Sequence, residues 1–186
     1  MTEMLRMLRK LAQTNRLANA RLHRACAALP TGGYEAPRPS FFGSIRATLN
    51  HVLLVDRFYI DALAGRPLDK AALAEAGDCP DLARLAEWQA HEDDRLLALV
   101  AALTPDTLAE IVPVDRGSRM QHDRCDDLLS HLFQHQTHHR GQVHGLLSQA
   151  GVVPPQLDEF IVGDDAAARA EDMARLGWTE DQLMRP

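Results

Sequence analysis

His131-Leu-Phe-Gln-His135-Gln-Thr-His138-His139-Arg140-Gly141-Gln142 holds four of the nine histidines in a chain of 186 residues. His135 and His139 are four positions apart. On an α-helix such residues stand one above the other, about 6 Å apart at Cβ. Two imidazoles so placed can reach one metal ion without bending the backbone. The reading therefore turns on whether this stretch is helical, which histidines face inward, and where a third ligand comes from.

Around these histidines, Cys125, Leu128, Leu132, Val143 and Leu146 recur at helical spacing, and no proline interrupts the segment before Gly151. With about 100° of rotation per residue, His139 falls inside this apolar stripe and His135 on its border beside Gln142. His131 and His138 lie further round and read as surface histidines. Asp123 is the candidate N-cap, and Gly151 with Pro154-Pro155 closes the helix. Cys125 reads as a small core residue rather than a fourth ligand, since about ten residues of helix separate it from His135.

The rest of the chain is mostly helical in pattern. Met4 to Leu29 repeats apolar residues every three or four positions until Pro30-Thr-Gly-Gly33. A second helix is expected from an N-cap at Ser40 to about Ala64. It places Phe41, Ser44, Thr48, His51, Val52, Val55, Phe58, Tyr59 and Ala62 on its buried face, and Arg46, Asn50, Arg57 and Asp61 opposite. A short helix is expected at Lys70 to Ala76, and a long one from Asp81 to Leu103, whose Glu92-Asp93-Asp94 run reads as a solvated face. Residues 111–122 suggest a short hairpin or extended loop. Asp164 to Leu176 is a weaker helix, and Gly177-Trp178 starts the tail. The expected fold is all-α, a four-helix bundle in a single domain over residues 1–186.

Composition narrows the function. A net charge of −6 disfavours nucleic-acid phosphate as a partner. No apolar run is long enough to span a membrane, and the N-terminus lacks the apolar core of a signal peptide. Cys26, Cys79 and Cys125 form no C-x-x-C pair, which fits a reducing cytoplasm. A single buried histidine is ordinarily a hydrogen-bonded core residue, and Gln136 stands where a zincin-type protease would need Glu. The combination outweighs those parts: His51 needs partners for its ring nitrogens, and His135 and His139 sit on a helix that must pack against it. A metal ion would satisfy all three.

Two motifs then resemble the DinB/YfiT-like family of metal-binding helical bundles. Asn50-His51-Val-Leu-Leu-Val-Asp56-Arg-Phe-Tyr59 is similar to its second-helix motif, and His135-Gln-Thr-His138-His139-Arg140-Gly141-Gln142 to its fourth-helix motif. The likeness covers about residues 3–162 and leaves 163–186 as a C-terminal extension. Phe58-Tyr59 departs from the Trp found in many members. The resemblance implies that His51, His135 and His139 bind one divalent ion, commonly zinc or nickel. It also implies kinship with transferases and isomerases that use a low-molecular-weight thiol on an electrophilic substrate, and a homodimer. Asp56, Tyr59, Arg140 and Gln142 are the pocket candidates: Asp56 to orient an imidazole or pair with Arg140, Arg140 to hold an anionic group at the pocket mouth or to make a solvent salt bridge, Gln142 to hold water or substrate or to bond across helices. A metal-dependent hydrolase and a non-enzymatic metal- or ligand-binding stress-response protein remain open on the same residues.

Overall fold

The computed structural model describes residues 3–158 and 162–185. Among them the chain is mostly helical with one two-stranded sheet. The four long helices are α1 (Glu3–Cys26), α2 (Ile45–Leu63), α4 (Leu82–Ala102) and α6 (Cys125–Gln149). Helices α1 and α2 each pack on both α4 and α6, so the four enclose a common interior. The short α3 (Lys70–Gly77) packs on α2, and α5 (Pro105–Ala109) leads into the sheet.

Local chemistry fixes the ends. The α2 helix begins at Ser44, not Ser40: the Ser44 side chain accepts from the Ala47 N–H at 3.0 Å. Residues 40–43 instead form a turn closed by the Gly43 N–H on the Ser40 carbonyl at 3.1 Å. Gly43 has φ 80°, a left-handed conformation that glycine adopts without penalty and that no helix contains. Asp69 and Asp81 cap α3 and α4 in the same manner as Ser44.

The hairpin pairs β1 (Ile111–Asp115) with β2 (Met120–Arg124), antiparallel. Asp123 is not the cap of α6. It lies in β2 opposite Val112, and Arg124 holds the N-cap position without a side-chain bond. Two α-helices went unforeseen, α5 and the terminal α8 (Glu180–Met184), each only five residues long and each started by a Thr capping box. The α7 helix (Ala166–Leu176) ends on Gly177 in the left-handed conformation. Helices α7 and α8 lie against α1, where Met173 and Leu183 join Leu17 and Ala18 in an apolar cluster.

Two larger apolar clusters fill the interior, one around Leu8, Leu96, Leu129 and Leu132, the other around Leu22, Leu49, Leu53 and Leu146. A buried polar layer draws one or two residues from each long helix. Asp93 Oδ1 accepts from the amides of Asn15 at 3.1 Å and Asn19 at 2.9 Å. Gln89 donates to Asp56 Oδ2 at 2.6 Å, and Gln136 donates to the same oxygen. Arg140 donates to Asn15, to Asn19 at 3.1 Å and to Gln136 at 3.0 Å. Burial raises the Asp56 carboxyl well above the usual carboxylate range, and the nearby Asp93 charge adds to it. Asp93 is pushed up to about 7 by burial, and Arg140 is lowered to about 10 by the same cause.

This layer corrects the reading of the acidic run. Glu92 and Asp93 are each 2% exposed, and Asp94 alone of the three faces solvent. Glu92 accepts from Arg57 at 3.1 Å and Arg95 at 2.6 Å, so its charge is buried but paired. Asn50, expected on the polar side of α2, is also buried and donates to the Cys79 carbonyl at 3.1 Å. The short α3 and the loop that follows it pack on α2 beside Asn50, so a wider arc of α2 is buried than a single apolar stripe suggests. All three cysteines are free and buried. No helix of the described residues is long and apolar enough to cross a membrane.

Candidate metal centre

The α2–α6 contact carries the site. His51 projects from α2, and His135 and His139 project from successive turns of α6. One ring nitrogen from each lies within 4.8 Å of the others. His135 Nε2 and His51 Nε2 are 2.9 Å apart. Ring centroids are 4.3 Å apart for His135–His139, 4.8 Å for His51–His139 and 4.9 Å for His51–His135. An ion at 2.0–2.1 Å from three nitrogens would set them about 3.3 Å apart, so small side-chain rotations bring the set into coordinating range.

Protonation also fits a cation. His139 Nδ1 stands 2.8 Å from Gln142 Oε1. That oxygen can only accept, so the proton sits on Nδ1 and the Nε2 lone pair is free. Gln142 Nε2 in turn reaches His138 Nε2 at 3.1 Å. Burial lowers the pKa of His51, His135 and His139, and the neighbouring rings lower that of His135 further, to about 3. The imidazoles are neutral at neutral pH, the form a metal requires. His135 Nδ1 is buried with no hydrogen-bond partner, so its other nitrogen is the one turned to the cluster. Donor set, spacing and protonation together could hold one divalent ion.

The cluster forms one wall of an open cavity of about 860 Å³. Phe42 covers it, stacked on His51 at 4.4 Å and edge-on to His139 at 5.4 Å. Val55, Phe58 and Tyr59 continue the α2 wall, and Leu73 and the Asp115–Arg116 turn close the far side. The cavity hollows out this side of α2, so His51 is half-buried at its wall rather than central in the core. Periodicity chose the wrong aromatic beside it: Phe41, expected inside, is 86% exposed. The turn at residues 40–43 breaks the helical register that placed Phe41 inward.

The four pocket candidates separate. Gln142 lines the cavity and bonds a clustered imidazole. Tyr59 lines it too, its hydroxyl accepting from Arg116 at 2.7 Å. Asp56 and Arg140 do not reach it. Both belong to the interior polar layer, joined through Gln136 rather than to each other. Arg140 is 8% exposed and points toward α1, so it is neither an anchor at the pocket mouth nor a solvent salt bridge. His131 and His138 are exposed at the cavity rim, and Cys125 is buried in the core. Phe42, Lys70 and Arg116 were missed as cavity residues. Phe42 alone had a signal, the aromatic pair before Gly43.

A mostly helical chain that carries three imidazoles from two packed helices on a cavity wall belongs among helical proteins with a histidine-rich centre. The class is narrower than that. The DinB family model matches residues 4–172, and the chain belongs to the DinB family. It is also 28% identical over 156 residues to "Protein DinB" of Bacillus subtilis (strain 168), spanning 80% of this chain and 89% of that one.

Proposed function

We propose that His51, His135 and His139 bind one divalent ion, zinc or nickel, and that the protein is a transferase or isomerase using a low-molecular-weight thiol on an electrophilic substrate. The supporting observation is the convergence of three ring nitrogens within 4.8 Å at a cavity wall. Three protein ligands leave a position open, the arrangement of a catalytic rather than a closed structural site. A bound ion would supply Lewis acidity, favouring thiolate over thiol at that position.

The chain's own residues do the remaining work. Gln142 fixes the His139 tautomer and ring orientation. Phe42 shields one face of the cluster, and the apolar α2 wall holds the substrate body away from water. The wider reading is a single four-helix-bundle domain onto which the C-terminal helices fold, cytoplasmic and homodimeric, with no nucleic-acid or membrane partner.

The test assays metal-loaded protein with a panel of thiols (cysteine, glutathione, mycothiol, bacillithiol) against aryl halide and bromobimane electrophiles. Thiol-dependent turnover that falls at least 100-fold in His51→Ala supports the transferase. Background rates shared by wild type and variant across the panel contradict it and favour a binding protein. Turnover of ester substrates without thiol, lost in the same variant, contradicts it in favour of a hydrolase.

A further inference from the structure

At the end of the cavity away from the histidines, α3 and the hairpin bring together two cations that no motif singles out. Lys70 opens α3, and Arg116 follows β1 in the hairpin turn. Lys70 Nζ lies 3.8 Å from the place a Cβ on Gly117 would occupy, so the ammonium sits against the turn that carries Arg116. The Arg116 guanidinium rests over the Phe58 and Tyr59 rings, 5.0 and 5.3 Å from their centroids. It donates to Tyr59 Oη at 2.7 Å and to Gln121 Oε1 at 3.0 Å. These four contacts aim a planar fork along the cavity wall rather than leaving it to sweep through solvent.

Neither cation is neutralised. Among the described residues, no carboxylate comes within ion-pair distance of Lys70 or Arg116. Asp115 is the one acid on this part of the wall, and its Oδ1 is taken by the Gly117 N–H at 2.7 Å. Two positive charges against one leave this end net positive in a chain of net charge −6. Between it and the histidines the wall is apolar, formed by Leu54, Val55, Phe58 and Leu73. Short aromatic steps connect the two ends: Tyr59 to His131 at 5.0 Å, then His131 to His135 at 5.9 Å.

We propose that the cavity takes a small carboxylate with an apolar body: the carboxylate pairs with Arg116 and Lys70, the body lies on Phe58 and Leu73, and the opposite end is presented to the histidine cluster. The inference rests on the reading of that cluster as the reactive end and gives its substrate a chemical class. A planar carboxylate matches the guanidinium fork, and an apolar body matches the walls. Neither cation belongs to the histidine cluster, so the contact supplies binding and orientation rather than chemistry.

The test separates this from the metal reading by working on chelator-stripped protein at pH 8. Calorimetric titration compares 4-phenylbutyrate with its neutral match, 4-phenylbutanamide. The acid binds at least tenfold more tightly than the amide to wild type. In Arg116→Gln/Lys70→Gln the two bind alike and amide affinity is unchanged, whereas Arg116→Lys with Lys70 intact keeps most of the preference. Both positions are exposed, so a melting temperature within a few degrees of wild type is expected for each variant. Equal binding of acid and amide to wild type overturns the proposal, as does failure of both to bind. A preference that survives in the double variant but vanishes in His135→Ala also overturns it, by moving the anion to the histidines. Loss of metal binding alongside an intact acid preference would sink the metal reading and leave this one standing.

Discussion

Gln142 shows how much of the site depends on a side chain outside the imidazole cluster. Its Oε1 holds the proton of His139 on Nδ1, and its Nε2 reaches His138. Gln142→Leu keeps the bulk but removes the acceptor, freeing the ring to rotate and change tautomer. Metal affinity is expected to fall about 10- to 100-fold, read by competition with a chromophoric chelator; an unchanged affinity would show that the bond does not orient the ligand. His135, His139 and Gln142 were legible because i, i+3 and i, i+4 positions on one helix meet whatever surrounds them, and His51 because its spacing put it on the side of α2 that faces α6. Arg140 was not. Periodicity gave its angle from the apolar stripe, but its partners Asn15 and Asn19 lie more than a hundred positions earlier on α1. Lys70 and Arg116 were hidden for the same reason: each is an unremarkable surface cation until tertiary packing sets them against one turn.

Among the elements, the long helices were readable from their apolar spacing and the hairpin from the Asp115–Ser118 turn between two short runs, whereas the five-residue helices were too short to show a period. The interior polar layer is the feature that spacing misread, since a Glu-Asp-Asp run on a helix ordinarily faces water. Asp93 carries a testable consequence. Its folded pKa of about 7 lies above the unfolded carboxylate value, so the folded state holds the proton more tightly. The stability this confers is complete below about pH 4 and is lost as pH rises toward 7. Asp93→Asn keeps an acceptor for Asn15 and Asn19 without a charge to desolvate. Relative to wild type, the variant should gain about 1–3 kcal/mol between pH 5 and pH 8, measured by urea unfolding across that range. Parallel stability profiles for the two proteins would mean that Asp93 is already ionised at the lower pH.

For the whole molecule, the C-terminal helices are part of the fold rather than an appendage. Leu183 is fully buried with Met173 against Leu17 and Ala18, and Arg169 binds Glu180 through two nitrogens at 2.9 and 2.6 Å. Leu183→Ala should therefore destabilise the protein by about 2–3 kcal/mol, seen as a melting point lower by roughly 5–10 °C, with metal content unchanged. A melting point equal to wild type would mean that the tail does not dock in solution. The central claim is that imidazoles from two helices share one cation. Zinc titration of untagged, chelator-stripped protein tests it most directly, with bound metal counted per chain. One tight equivalent is expected for wild type, and its loss in both His51→Ala and His135→Ala, with folding retained by circular dichroism. One tight equivalent retained by His51→Ala would contradict it.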